Sequence, residues 1–537
     1  MKRKSTKLIL GIIVTILSTM NTKAQLIYNG VNIDINNVKA RINNQCSEFW
    51  DPNTQVNTYE IPKGSGKNTL YTGGLWIAGF DASNQLHLSA ETYNQNGSNN
   101  YWPGPLDLSN GTSADPNVWN KIWKVNKSTI LNHIANWNTP GYIIPTEITN
   151  WPGNAPTGSN YSAILAPFYD TNNNQIYEPA LGDYPYIYGD QAVYFICNDN
   201  YAPNTLGSPS LKVEIHGMAW AYSAPTIPFM DNTLFMRYQI VNRSGVQYNN
   251  FSFGIWTDAD LGNAADDYVG VDVSRNMHYF YNGDSNDDGA VGYGFNTPAQ
   301  GIKLLNHSLS TSLYYQNFNG MPNGNPVDAI DYYHYLTANW IDSVHVTYGG
   351  DGRGTGPGAT SLPCNYMFPE STDPSFPAQA WNMGLAGIAP NDMRGVFSSN
   401  GSTLPSNGVL TFDLAYITAF NGRPDSSIML LQAYADSIQA RYLNGTVTSV
   451  SENIPKTAGS MTIEPNPMKD YAFITFNNVN DESGLLTITS LDGKIVMQKK
   501  INAFSKTVLD RKNLSAGVYI VNARFKSQTL NSKLLID

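Results

Sequence analysis

The residues of this chain best suited to chemistry are oxygen ligands. Asp284-Ser285-Asn286-Asp287-Asp288-Gly289 places Asp284, Asn286 and Asp288 at alternate positions ahead of a glycine that permits a tight turn. A hard cation such as Ca²⁺ takes about six to eight oxygens, and alternate spacing in a turn directs side chains to one centre. The twelfth position of that loop is Phe295, so a carboxylate from elsewhere has to complete the shell. Upstream, Asp258, Asp260, Asp266, Asp267 and Asp272 crowd into fifteen residues at the end of an expected strand, with Arg275 the nearby base. Carboxylates so placed repel one another unless a cation or a basic partner neutralises them. A structural Ca²⁺ is therefore expected here. A second loop alternates Asp170, Asn172 and Asn174, with the Ile176 carbonyl, Glu178 and Asp183 available as further ligands. Gln175 stands where a glycine belongs, and the competing reading is an Asx-turn loop closed by side chain to backbone hydrogen bonds.

Patterns for catalysis are missing. The seven histidines form no metal-binding pair at helical spacing, and there is no His-Glu-x-x-His and no Gly-x-Ser-x-Gly. Gly64-Ser65-Gly66-Lys67 lacks the first glycine and the Mg²⁺-binding hydroxyl of a phosphate loop, with Ile61 and Asn68 in those places. His216 lies in an apolar run and reads as a core or edge histidine satisfied by a hydrogen bond. Neighbouring acids such as Asp266 and Asp267 define no glycosidase pair, because adjacency in sequence sets no separation in space. No catalytic residue is assigned.

Composition bounds the elements that must hold these loops. The 537 residues carry a formal charge of −10, only 14% charged side chains, and many Tyr, Trp, Gly and Asn. Aromatic residues suit half-buried pleated surfaces, and Asn and Gly suit turns. We expect a mainly β protein: an antiparallel β-sandwich body with a few helices, and a small seven-stranded β-sandwich at the C-terminus. Residues 25–455 carry a net charge of −19, which excludes nucleic acid or an anionic membrane as a charge-driven partner. Cys46, Cys197 and Cys364 allow at most one intramolecular disulfide and form no Cys-x-x-Cys.

At the N-terminus, Lys2, Arg3, Lys4 and Lys7 precede the apolar run Leu8 to Leu17, and small and polar residues lead to Ala24. This is the pattern of a signal peptide cut after Ala24, leaving no transmembrane segment in the mature chain. The body is expected as an N-terminal part, 25–205, and a second sandwich part, 206–445. In it, Lys212–Ser223 and Asn232–Asn242 read as neighbouring strands and Phe251–Thr257 as a third. A helix is expected over 128–137, with Ile130, Leu131, Ile134 and Trp137 on one face. Another over 426–443 closes the body, with Met429, Leu430, Tyr434, Ile438 and Tyr442 at helical spacing. A linker, 446–460, then leads to 461–537.

That last segment opens with Pro465-Asn466-Pro467, which bars a central strand there. Strands follow around Ala472–Phe476, Leu485–Ser490, Ile495–Lys500, Thr507–Leu509, Val518–Arg524 and Leu530–Ile536, with an Asp492-Gly493 hairpin turn. The Pro-Asn-Pro opening, Leu491-Asp492-Gly493-Lys494, Leu514-Ser515-Ala516-Gly517-Val518-Tyr519 and Lys533-Leu534-Leu535-Ile536 together resemble the type A C-terminal sorting domain of the type IX secretion system of Bacteroidota. The resemblance implies passage through the periplasm to the outer-membrane surface or the medium. It also implies, as partners, the secretion machinery and a surface sortase that removes the domain. Asn37–Arg41, Ile61–Gly64, Gly74–Gly79 and Trp102–Leu106 resemble the opening of large secreted Bacteroidota proteins of no assigned activity.

The expected function is that of a non-enzymatic, calcium-stabilised protein of adhesion or envelope interaction, with a glycan or a surface protein as ligand. An extracellular hydrolase acting on polysaccharide or protein is the alternative, by analogy of delivery route.

Overall fold

In the computed structural model the described residues are 29–93, 99–448, 460–477, 483–490, 494–502, 507–512, 514–526 and 529–537. The signal segment, the Asp492-Gly493 turn and residues 449–459 of the linker lie outside them. The chain divides into two compact units, Met1–Val450 and Ser451–Asp537. It is mainly β, and every ladder between strands is antiparallel. Among the described residues no helix is long and apolar enough to cross a membrane.

Strands Gln191–Asn198 and Val213–Ala221 are buried at every position. Continuous burial follows from cover on both faces, and the pleat sends alternate residues to different cores. Val193, Phe195 and Cys197 enter one core, whereas Ala192, Tyr194 and Ile196 enter another. These strands belong to a nine-stranded sheet. Its order is Trp102–Pro103, Gln191–Asn198, Val213–Ala221, Thr233–Asn242, Val409–Phe420, Pro298–Leu304, Met277–Asn282 and Asp267–Asp272, with Trp123–Asn126 also paired to Gln191–Asn198. The two runs expected as neighbours are paired, from Val213 opposite Asn242 to Trp220 opposite Phe235. Gly217 is required in this ladder, since a Cβ there would lie 2.0 Å from the ring of Phe195.

The third expected strand, Tyr248–Asp258, belongs to a six-stranded sheet. It lies between Met393–Leu404 and Thr72–Phe80, with Thr311–Gln316, Ser47–Glu48 and Leu86–Ala90 outside. The sheets face each other: the rings of Phe253 and Phe412 stack with centroids 4.0 Å apart. Strands from before residue 200 and from beyond 212 share both sheets, so the two parts of the body interleave into one unit.

Helix Pro424–Leu443 covers the far face of the larger sheet. Its buried residues are Ser427, Leu431, Ala435 and Ile438, while Met429 is 70% exposed. The expected span holds, but the buried stripe is centred on Leu431 rather than on Met429 and Leu430. Helix Lys127–Asn136 is turned similarly: Ile130 and His133 are buried, and Leu131 and Ile134 are partly exposed.

In the second unit, Ser460–Glu464, Tyr471–Asn477 and Thr507–Asp510 form one sheet. Ile495–Asn502, Ser483–Ser490, Gly517–Phe525 and Thr529–Ile536 form the other. The Pro-Asn-Pro segment meets the chain's end. Asn466 Nδ2 donates to the Lys533 carbonyl at 2.8 Å, and the Leu535 amide donates to Asn466 Oδ1 at 2.8 Å.

Candidate metal centre

Asp258 is the last residue of strand Tyr248–Asp258 and stands opposite Arg394 in the ladder. It shares a face with Gly254 and Trp256, opposite to that of Phe253 and Ile255, because side chains alternate along a strand. Arg394 Nη2 lies 3.1 Å from Asp258 Oδ2, and its Nη1 lies 2.5 Å from Asp392 Oδ1. Tyr93 donates its hydroxyl to Asp258 Oδ2 at 2.6 Å and accepts from Arg394 Nη2 at 2.9 Å. Asp260 follows two residues beyond the strand. One ligand oxygen from each of Asp258, Asp260 and Asp392 lies within 4.8 Å of the others. The three acids line a cavity of about 380 Å³ with Tyr71, Tyr93, Asn317 and Arg394. Of its lining residues Tyr71 and Tyr93 are aromatic, and they pack against the buried Trp50 and Trp256 behind them, with neighbouring centroids between 4.7 and 6.3 Å apart.

The electrostatics follow from this crowding. Burial pushes the Asp258 carboxyl up to about 8; Arg394 opposes the rise, and the charges of Asp260 and Asp392 add to it. Burial and then Asp392 raise Asp260 to about 6. Burial works against the charge on Arg394, yet Asp258, Tyr93 and Asp392 hold its guanidinium above the ordinary value. Asp258 Oδ1 is buried with no hydrogen-bond partner. An unpaired buried oxygen costs about 1–3 kcal/mol, so the arrangement favours a species that supplies positive charge at that atom.

The structure distributes the other sequence-predicted ligands elsewhere. In the 284–289 loop the inward residue is Asp287, not its neighbours. Asp287 Oδ1 accepts from the Asn263 amide at 3.1 Å and Oδ2 from the Tyr293 amide at 2.7 Å. Asp284 and Asp288 are exposed. Asp284 Oδ1 accepts from the Asn286 amide at 2.8 Å, and the Asn286 side chain donates to Asp288. The Asp288 amide donates to Asp266 Oδ2 at 3.1 Å. Asp267 is buried and accepts from the Leu261 amide at 3.0 Å, and burial raises its pKa well above the ordinary value. Asp272 sits at the other end of its strand. There it accepts from Ser274, from Arg275 and from Gln432 of the closing helix.

The 170–183 loop adopts the Asx-turn geometry. Asp170 accepts from the amides of Asn174 (3.3 Å) and Gln175 (2.7 Å), and Asn174 Oδ1 from that of Ile176 (2.7 Å). The Asn172 and Asn174 side chains donate through Nδ2 to Glu178 Oε2 at 3.4 and 2.6 Å. Asp183 accepts from the amides of Thr171 and Glu178, both at 2.8 Å. Among the described residues, only Asp258, Asp260 and Asp392 converge as three acidic, histidine or cysteine ligands.

Two members of the centre, Asp392 and Arg394, escaped the sequence reading. They lie more than 130 positions beyond Asp258, and only the cross-strand register brings them to it. The signal in hindsight is an Asp and an Arg flanking Met393 at the start of the twelve-residue strand Met393–Leu404. His216 is a paired histidine as expected, with Nδ1 2.6 Å from the Tyr194 hydroxyl and Nε2 2.9 Å from Glu214.

No curated protein matches the chain. Residues 462–537 match the family described as the secretion system C-terminal sorting domain. With its seven strands in two antiparallel sheets, this segment is the sorting tail of a secreted protein, and it supports export as a cargo of the type IX secretion system.

Proposed function

We propose that the body, residues 25–448, is a non-enzymatic, calcium-stabilised module that acts at or beyond the cell surface in adhesion or envelope interaction. The observation that carries this reading is the buried, unpartnered Asp258 Oδ1 in a group of three carboxylates sharing one arginine. When ionised, that group has a net charge of −2, which one divalent cation neutralises. Oxygens about 2.3–2.6 Å from a Ca²⁺ ion lie at most about 5 Å apart, and the three acids meet that limit. Water in the cavity supplies the remaining ligands. Tyr71 and Tyr93 line the same cavity, where a glycan or a surface protein meets aromatic side chains.

The same spacing argues against hydrolysis. Glycosidase carboxylates stand about 5–9.5 Å apart across a sugar and are free to take up and release protons. Here two of the three bind one guanidinium. After export, removal of the tail by a surface sortase and release or anchoring of the body belong to the same proposal.

Thermal unfolding of the purified secreted protein tests the clamp. Saturating Ca²⁺ is expected to raise the melting temperature by about 3 °C or more, EDTA to reverse the rise, and Asp258→Asn to abolish it. The absence of any Ca²⁺-dependent shift in the unmodified chain overturns the clamp. Turnover of a polysaccharide or protein in a substrate panel overturns the non-enzymatic assignment.

A further inference from the structure

The sulfur atoms of Cys46 and Cys197 lie 3.2 Å apart, although the two residues are 151 positions apart in the chain. Both are completely buried. Cys46 directly precedes Ser47–Glu48, the edge strand of the smaller sheet, and its carbonyl accepts from the Leu75 amide at 3.1 Å. Cys197 lies in the larger sheet, opposite Ile215 on one side and Pro103 on the other. The pair therefore spans the interior of the sandwich from one sheet to the other.

We propose that Cys46 and Cys197 form a disulfide that ties the two sheets together in the secreted protein, and that Cys364 remains a free thiol. The separation exceeds a disulfide bond of about 2.05 Å by little more than 1 Å, a distance that side-chain rotation covers. The sorting tail marks the chain as a secreted protein, bound for surroundings where disulfides form and persist. Cys364 is also buried, but its ionisable neighbours include Asp373, and neither other cysteine is among them.

The bond forms by exchange with a disulfide donor. One cysteine thiolate attacks a donor sulfur, giving a mixed disulfide and releasing one donor thiolate. The second cysteine thiolate then attacks the first cysteine's sulfur and expels the other donor sulfur. The two cysteines lose two electrons and two protons, and the donor gains both as two thiols. Burial raises the Cys46 thiol well above its ordinary range, and both sulfurs are closed off in the folded core from any donor. Oxidation accordingly precedes closure of the sandwich, and once formed the bond is shielded from reductants.

Thiol counting on the unmodified full chain tests the proposal. The chain is recovered from the secreted fraction, or refolded with oxidised glutathione as the donor, then unfolded and alkylated without reductant. One alkylated cysteine, Cys364, is expected, rising to three after reduction. Peptide mapping should give a cross-linked Cys46–Cys197 peptide two hydrogens lighter than its parts. Cys364→Ser should leave no alkylated cysteine before reduction. Three free thiols in most molecules, or a bridge that includes Cys364, overturns the proposal. These readouts are independent of calcium, so they stand or fall separately from the metal centre.

Discussion

His278 shows what burial does to a single titratable residue. It is fully buried on Met277–Asn282, with Nδ1 2.8 Å from Ser312 Oγ and Nε2 without a partner. The ring points into a gap left by Gly395, where a Cβ would lie 2.0 Å from Nε2. Burial alone depresses its pKa to about 3. An unfolded histidine titrates at about 6.5, so below that pH the unfolded chain binds a proton that the native chain refuses. This contribution to stability is complete above about pH 6.5 and is lost as pH falls towards 3, at up to about 1.4 kcal/mol per pH unit. Denaturant unfolding of His278→Gln between pH 4 and 7 should show a shallower acid limb than the unmodified chain. Parallel limbs would mean that His278 is protonated in the native state. Its sequence neighbours reveal none of this. Met277 and Tyr279 show an apolar strand, but Ser312 and Gly395 arrive from the opposite sheet.

At the scale of an element, the closing helix separates what periodicity can and cannot tell. Its apolar spacing and the Asn444-Gly445 stop predict residues 426–443, against Pro424–Leu443 observed. Apolar residues are spread around the cylinder, however, so spacing does not single out the buried side. The sheet below chooses Leu431, Ala435 and Ile438, which join Ala415, Ile417 and Ala419 in one core. Leu431→Ala should cost about 2–4 kcal/mol in chemical denaturation, and Met429→Ala less than about 0.5 kcal/mol. A larger loss at Met429 than at Leu431 would mean that the helix packs on its Met429 face instead. The acidic loops teach the same lesson. Alternate spacing selects Asp284, Asn286 and Asp288, whereas the fold turns Asp287 inward to organise the loop through backbone amides.

Over the whole molecule, the buried apolar residues of the body and those of the tail form separate cores, the latter running from Ile463 to Ile536. Each unit therefore has its own reason to fold. Deleting residues 449–537 should leave the melting temperature of the body unchanged within about 1 °C while abolishing secretion. Loss of the body's cooperative transition, or undiminished secretion, would contradict this division. The sequence by itself determined the β class, the strand runs at 213–221 and 233–242, and the sorting tail. These rest on local composition, pleat periodicity, turn residues and motifs in register, all of which are carried by neighbours in the chain. Only the tertiary structure decided the interleaving of the two halves of the body, the approach of Cys46 to Cys197, and the membership of the acidic group around Asp258. Asp392 and Arg394 reach Asp258 through cross-strand register, which is set by how two distant strands bury their shared faces. No run of adjacent residues encodes that pairing.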